Sequence, residues 1–254
     1  MKMHFLSGGR LRMRRSVYYP GAAREETVEL PVMCTLLKHN QANVLFDTGC
    51  SPDAAVNAEA RWGGVARAMV PMFNPQDTVI HQLGKAGLTP DDIDVVICSH
   101  FHPDHCGCNE HFKRASILCH ADELAAAQSE DGAAQGYLPV EWNHAQRGFE
   151  TFDGARDLFG DGHIILYPVP GHTPGMTAAL VRLHHEGEIL LASDAAAVEA
   201  NLVEGYAPRN SWDMDRATKS LADIKAARDR GVKVIYGHDD KQWQSLRKGA
   251  EFYS

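Results

Sequence analysis

Hydrophobic positions along the chain fall into short runs, each stopped by glycine, proline or a polar cluster, and most keep no helical period. "KMHFLSGG" and "VELPVMCTLLKH" are apolar and β-branched between such stops, which predicts strands. "ANVLFDTGC" carries Val44-Leu45-Phe46 into Asp47-Thr48-Gly49, a buried strand opening into a tight turn with Asp47 at its mouth. Residues 51–75 hold apolar residues without alternation and predict one or two short helices broken at Gly63-Gly64, a helical insertion between strands. Val79, Ile80, Leu83 and Leu88 form a helical stripe behind the capping pair Asp77-Thr78. "IDVVICSH" returns to a strand from Ile93 to Cys98.

The second half repeats this alternation. "ASILCH" reads as a strand and "ADELAAAQ" as a helix start, followed by an irregular stretch from Asp131 to Arg147. "HIILYPVPGHTPG" is a strand ending in a Gly-His turn. Met176 to Leu183 and Glu188 to Ala192 make a hairpin that ends in Asp194. Asp213 caps a helix from Met214 to Arg230 with Ala217, Leu221 and Ile224 on one side, and "GVKVIYGHDD" is a strand ending in another Gly-His turn. No repeat or linker interrupts this order, so residues 1–254 read as one domain. Its class is α/β (α+β), with mixed sheets covered outside by helices.

Composition narrows the partners. The net charge of -8 argues against nucleic acid, whose phosphates need clustered Lys and Arg. The basic run Arg10 to Arg15 reads as a solvated loop or strand edge. No segment approaches the roughly 20 apolar residues of a membrane span, and the start lacks the apolar core of a secretory signal. Six cysteines without such a signal are expected to stay reduced, which points to the cytoplasm.

The candidate chemistry sits where strands end. "SHFHPDHCGCN" packs His100, His102, Asp104 and His105 into one strand-end loop, and His172, Asp194 and His238 each stand just past another strand. A loop gains no packing from four polar residues, so metal binding is the better reading. Five histidines and two carboxylates exceed the four ligands of a single zinc ion and suit two ions. Imidazole favours Zn, Fe, Ni or Cu, and the carboxylates can bridge the ions or hold the harder one. Such a pair polarises an acyl or phosphoryl oxygen and activates water. Cys106 and Cys108, with better ligands available beside them, read as small buried residues.

"FDTG", "SHFHPDH", "PGHTPG", "SDA" and "YGHD", in this order and spacing, resemble the five motifs of the metallo-β-lactamase superfamily. The resemblance implies an αββα sandwich with two mixed sheets and a dinuclear centre on one edge. It also implies that His100, His102 and His172 hold one ion, that Asp104, His105 and His238 hold the second, and that Asp194 bridges them. Asp47 would orient a ligand histidine from behind.

Within that superfamily the chain most resembles the N-acyl-homoserine lactonases, and this resemblance implies opening of a lactone ring. Asp104 would act as the catalytic proton carrier, and two zinc ions (or Fe, Mn or Co) as cofactors. Related readings are another lactone or ester, such as a 4-pyridoxolactone-like aromatic lactone, then a phosphodiesterase or a metal-dependent oxygenase. The expected partner is a small-molecule lactone, and a homodimer is the candidate assembly. Two positions depart from that branch: Ala197 stands where it places a carbonyl-contacting tyrosine, and Pro103 where it often has an aromatic. Tyr206 is the candidate replacement, with Phe73 and Met69 of the insertion as candidate substrate contacts.

Overall fold

A computed structural model describes residues 1–144 and 148–254. One sheet contains β1 (Lys2–Arg14), β2 (Thr27–Lys38), β3 (Asn43–Phe46), β4 (Val70–Pro71), β5 (Val95–Ile97), β6 (Ser116–His120) and β7 (Phe149–Phe152). Their spatial order is β4-β1-β2-β3-β5-β6-β7. The other sheet runs β12-β11-β10-β9-β8, from β8 (Arg156–Asp157), β9 (Ile164–Pro168), β10 (Thr177–Leu183), β11 (Gly187–Ser193) and β12 (Lys233–Tyr236). The helices are α1 (Pro52–Trp62), α2 (Val79–Gln82), α3 (Pro103–Cys106), α4 (Ala121–Gln128), α5 (Pro139–Trp142), α6 (Glu199–Glu204), α7 (Met214–Asp229) and α8 (Asp240–Ser245).

The period of two along a strand explains why the apolar runs are continuous. Phe5, Leu37, Val44, Phe46, Ile97 and Leu118 of the first sheet meet Leu166, Val181, Leu191 and Ile235 of the second in a core between the sheets. Their chain neighbours point the other way. Leu6, Leu36, Leu45, Val96 and Ile117 pack outward with Val79 and Leu83, while Leu190 and Val234 pack with Leu221 and Ile224 of α7. Both faces of each sheet are therefore buried, and the arrangement is the expected αββα sandwich.

Three details differ from the sequence reading. The insertion contains α1 and a 3-10 turn, Gly63–Arg67, but ends in β4, which pairs with β1 through Leu11–Pro71 and Arg12–Val70. A two-residue strand is too short to show alternation. The basic run is mostly the end of β1, where Arg10 meets Asp240 at 2.7 Å and Arg12 meets Glu29 at 2.9 Å. The stretch from 131 holds a 3-10 turn and α5, and its last positions, 145–147, lie outside the described residues.

β3, β5 and β6 pair in parallel, as do β11 and β12. Parallel pairing puts their C-terminal ends on one edge, where ligands of α/β sheets gather. No described helix is long and apolar enough to cross a membrane.

Candidate metal centre

Asp47 directly follows β3, β5 leads into Ser99 and His100, and β11 ends in Ser193 before Asp194. His172 follows β9 by a short Pro-Gly segment, and His238 follows β12. The seven residues singled out in the sequence converge at these strand ends. Candidate ligand atoms of His100, His102 and His172 all lie within 4.8 Å of one another. So do those of Asp104, His105 and His238, and those of His100, His105 and Asp194. Asp194 lies between the sets: Oδ1 is 3.0 Å from His238 Nε2 and 3.3 Å from His105 Nε2, and Oδ2 is 3.4 Å from His172 Nε2.

Hydrogen bonds behind the imidazoles decide which nitrogen faces inward. His105 Nδ1 donates to Asp47 Oδ2 at 2.9 Å, and His238 Nδ1 to the Pro31 carbonyl at 2.8 Å. His102 Nε2 donates to the Gln135 carbonyl at 3.0 Å. Ser99 Oγ donates to Asp47 Oδ2, so it accepts from His100 Nδ1 at 3.0 Å. Each of these four rings therefore turns its other nitrogen toward the centre, as outer partners of metal-binding histidines arrange, and in His100 and His102, whose pKa burial lowers, that nitrogen is bare.

Bare nitrogens cannot satisfy one another. His102 Nδ1 nevertheless lies 3.1 Å from His100 Nε2; it also lies 3.0 Å from Nε2 of His172, a ring whose outer nitrogen has no partner to fix its tautomer. Tetrahedral zinc, with Zn–N of about 2.0–2.1 Å, sets its ligand nitrogens roughly 3.3 Å apart. His105 Nε2, His238 Nε2 and Asp194 Oδ1 are buried without a hydrogen-bond partner. A buried polar atom left unpaired costs about 1–3 kcal/mol. Cations between these atoms would satisfy all of them, so the donor set fits two metal ions.

Charge in the cluster is arranged in the same sense. Burial, then the neighbouring histidines, holds His100 well below its ordinary pKa, and burial pushes His172 down to about 3. Both therefore present neutral imidazole. Burial also acts to lower His105, but Asp104, Asp194 and Asp47 together outweigh it and raise its pKa well above the ordinary value. Burial acts to raise Asp194, yet His238 and His105 hold it well below the carboxylate range. Without metal, protons shared with histidines balance these carboxylates. Metal binding would displace the protons.

The second half of the cluster is held under strain. Asp47 and Ser193 are the non-glycine residues with positive φ among those described, at 61° and 45°. Asp47 accepts from Ser99 N–H at 2.7 Å, and Ser193 Oγ lies 2.9 Å from Ser99 Oγ and 3.4 Å from His105 Nδ1. Such backbone costs about 1–3 kcal/mol per residue, comparable to the gain from burying one leucine, and it clusters at functional sites.

A cavity of about 520 Å³ reaches His102 and Pro103. Met13, Val17, Val65, Ala68 and Met69 line its apolar wall, so the insertion does face the centre. Phe73 instead packs against Gly9, and Tyr206 sits just past α6, where its carbonyl accepts from Asn201 Nδ2 at 3.1 Å. Neither lines the cavity. Two phenols that sequence reasoning missed lie beside the centre, Tyr137, whose ring is 5.7 Å from that of His102, and Tyr18. The buried Tyr18 ring lies 6.2 Å from that of His238, its hydroxyl donates to Met13 Sδ at 3.3 Å, and it belongs to the same packed cluster as Ala197.

All six cysteines are free and buried. Cys106 Sγ donates to the His102 carbonyl and Cys108 Sγ to the Cys50 carbonyl, and burial pushes both thiols up in pKa. A buried protonated thiol is a poor metal ligand. Replacing either by alanine is expected to leave bound metal unchanged by elemental analysis; loss of one equivalent would overturn that assignment.

Comparison with known proteins agrees with this geometry. The family model described as the metallo-beta-lactamase superfamily matches residues 27–238. An N-acyl homoserine lactonase from a Bacillus species is 29% identical over 99% of this chain and 98% of its own length. The N-acyl homoserine lactonase AttM of Agrobacterium fabrum is 26% identical over 100% and 99%. A B. thuringiensis AiiA variant with N-decanoyl-L-homoserine bound at its active site superposes with TM-score 0.87 at 25% identity, covering 99% of this chain and 98% of that one. An N-acyl homoserine lactone hydrolase with N-hexanoyl-L-homoserine at its catalytic metal center gives TM-score 0.86 at 27% identity, covering the same shares. With its sandwich, its strand-end donor cluster and a family match over most of its length, the chain belongs to the metallo-β-lactamase superfamily.

Proposed function

We propose that this protein is a dinuclear metal hydrolase that opens the ester ring of a lactone, with N-acyl homoserine lactones as the substrate class. The observation that carries the reading is the convergence of five imidazoles and Asp104, in two groups of three around Asp194, with four of the rings fixed from behind. Full-length similarity to lactonases, two of them solved with ring-opened product bound, supports the substrate class.

His100, His102 and His172 would hold one ion, Asp104, His105 and His238 the other, and Asp194 both. Zinc is the proposed metal, and the nitrogen and oxygen donors also accommodate Fe, Mn or Co. When bound, the pair supplies Lewis acidity and a water of lowered pKa. The chain's own residues do the rest. Asp104, whose Oδ2 lies 3.6 Å from both His105 Nε2 and His238 Nε2, would take the proton of the attacking water and return it to the leaving alkoxide. Met13, Val17 and Met69 would seat the apolar part of the substrate and exclude water. The proposed setting is the cytoplasm, where six buried thiols stay reduced.

The test is a pH-indicator assay of zinc-loaded protein on acyl-homoserine lactones of several chain lengths, aromatic lactones and simple esters. Acid release from acyl-homoserine lactones is the expected result. Turnover confined to aromatic lactones would move the substrate class, and turnover of no lactone would overturn the reading.

A further inference from the structure

We infer that Glu123 is a positioning residue that ties together the two loops carrying His100, His102 and His172, and so sets the affinity of one metal ion and not the other. This deepens the dinuclear reading above and rests on it.

Glu123 is on α4, outside every group of candidate ligands, and is fully buried. Its two carboxylate oxygens divide their work. Oε1 accepts from the Phe101 N–H at 2.9 Å, between His100 and His102, and Oε2 accepts from the Gly175 N–H at 3.0 Å, three residues after His172. The Thr173 hydroxyl, next to His172, faces the same carboxylate. One side chain thus spans two loops that are far apart in sequence and carry all three ligands of one set. The approach is built for close contact: a Cβ at Gly175 would lie 2.3 Å from Glu123 N, so only glycine lets this turn reach α4.

A purely structural position on α4 would not need a carboxyl group. Its buried partner on the same face, Ala127, is apolar. Burial pushes the Glu123 carboxyl up to about 7, against the pull of the Phe101 and Gly175 N–H groups. A buried carboxylate is costly unless fully hydrogen-bonded. Here two main-chain donors are aimed at its two oxygens. The other ligand set has its own anchors, Asp47 on His105 and the Pro31 carbonyl on His238, and neither involves Glu123.

Glu123→Gln keeps the shape but turns an amide N–H toward one of the two N–H donors. The experiment measures zinc binding by equilibrium dialysis in two backgrounds. His238→Ala cripples the set served by Asp47, and His102→Ala cripples the set served by Glu123. Disrupting an outer partner costs about 10–100-fold in metal affinity. E123Q is therefore expected to weaken the remaining zinc of the His238→Ala protein by that factor, and to leave that of the His102→Ala protein within about twofold. Equal weakening in both backgrounds, or none in either, would overturn the inference, because a general loss of packing acts on both alike. Thermal unfolding of the metal-free proteins shows whether the variants fold. If E123Q does not, Thr173→Val, which removes a hydroxyl from the same carboxylate, is read by the same criterion. A parent protein that binds no zinc overturns the dinuclear reading and this inference with it, whereas a parent binding two equivalents with no split between backgrounds overturns this inference alone.

Discussion

Asp194→Ala is expected to lower kcat/KM on a hydrolysed lactone about a thousandfold and to strip the centre of metal on dialysis. Asp194 is buried, and its two oxygens reach histidines of both sets, His105 and His238 with one, His172 with the other. Every other candidate ligand belongs to one side of the cluster. Removing this carboxylate leaves five imidazoles around a buried space with Asp104 as the remaining carboxylate among them, so cations lose charge compensation on both sides at once. Metal-based charge stabilisation supplies several kcal/mol to a transition state, and each 1.36 kcal/mol is tenfold in rate. The check is kcat/KM with zinc content on the same sample. A variant that keeps two equivalents and stays within tenfold of the parent would show that Asp194 does not join the sets. Asn at this position keeps the shape without the charge and separates the two contributions.

The sheets and the centre were legible for one reason. Residues past buried strands must be small or must do chemistry, and here they are His, Asp and Gly. Continuous apolar runs such as Val44-Leu45-Phe46 reveal strands buried on both faces, and the sandwich follows from them. The spacing of His100, His102, Asp104 and His105 is local, so a loop alone displays it. Glu123 was hidden because its partners are main-chain N–H groups, which leave no trace in residue identity. A signal did exist: it shares the buried face of α4 with Ala127, where an acidic residue is out of place. Tyr18 was hidden differently, since nothing in the sequence says that the turn after β1 folds over His238. Phe73 and Tyr206 were singled out by residue type and loop position, and neither criterion fixes side-chain direction. β4, β7 and β8 are too short, or too polar at alternate positions, to stand out from turns.

Gly171→Ala is expected to destabilise the fold by roughly 4 kcal/mol and to displace His172. Gly171 has φ +143°, and a Cβ there would lie 2.2 Å from Ala217 N and 2.3 Å from Ala217 Cα, in the first turn of α7. Positive φ on a side-chain-bearing residue costs about 1–3 kcal/mol, and overpacking a similar amount. Relaxation is blocked on both sides. The Gly171 N–H donates to the Thr173 carbonyl, the Gly171 carbonyl accepts from the Asp213 N–H, and Asp213 in turn caps α7 through the Asp215 and Arg216 N–H groups. Either α7 moves off the outer face of its sheet or the turn carrying His172 moves off the centre. At about 2–4 °C per kcal/mol for a domain of this size class, Tm of the metal-free protein should fall by about 10 °C. Calorimetry of metal-free and zinc-loaded protein reads both consequences, because a displaced His172 also shrinks the rise in Tm that zinc confers. Adding Ala217→Gly should restore little, since the nearest atoms are backbone. A loss below 1 kcal/mol, or full rescue by that second change, would mean that the turn and α7 are held less rigidly than their hydrogen bonds imply.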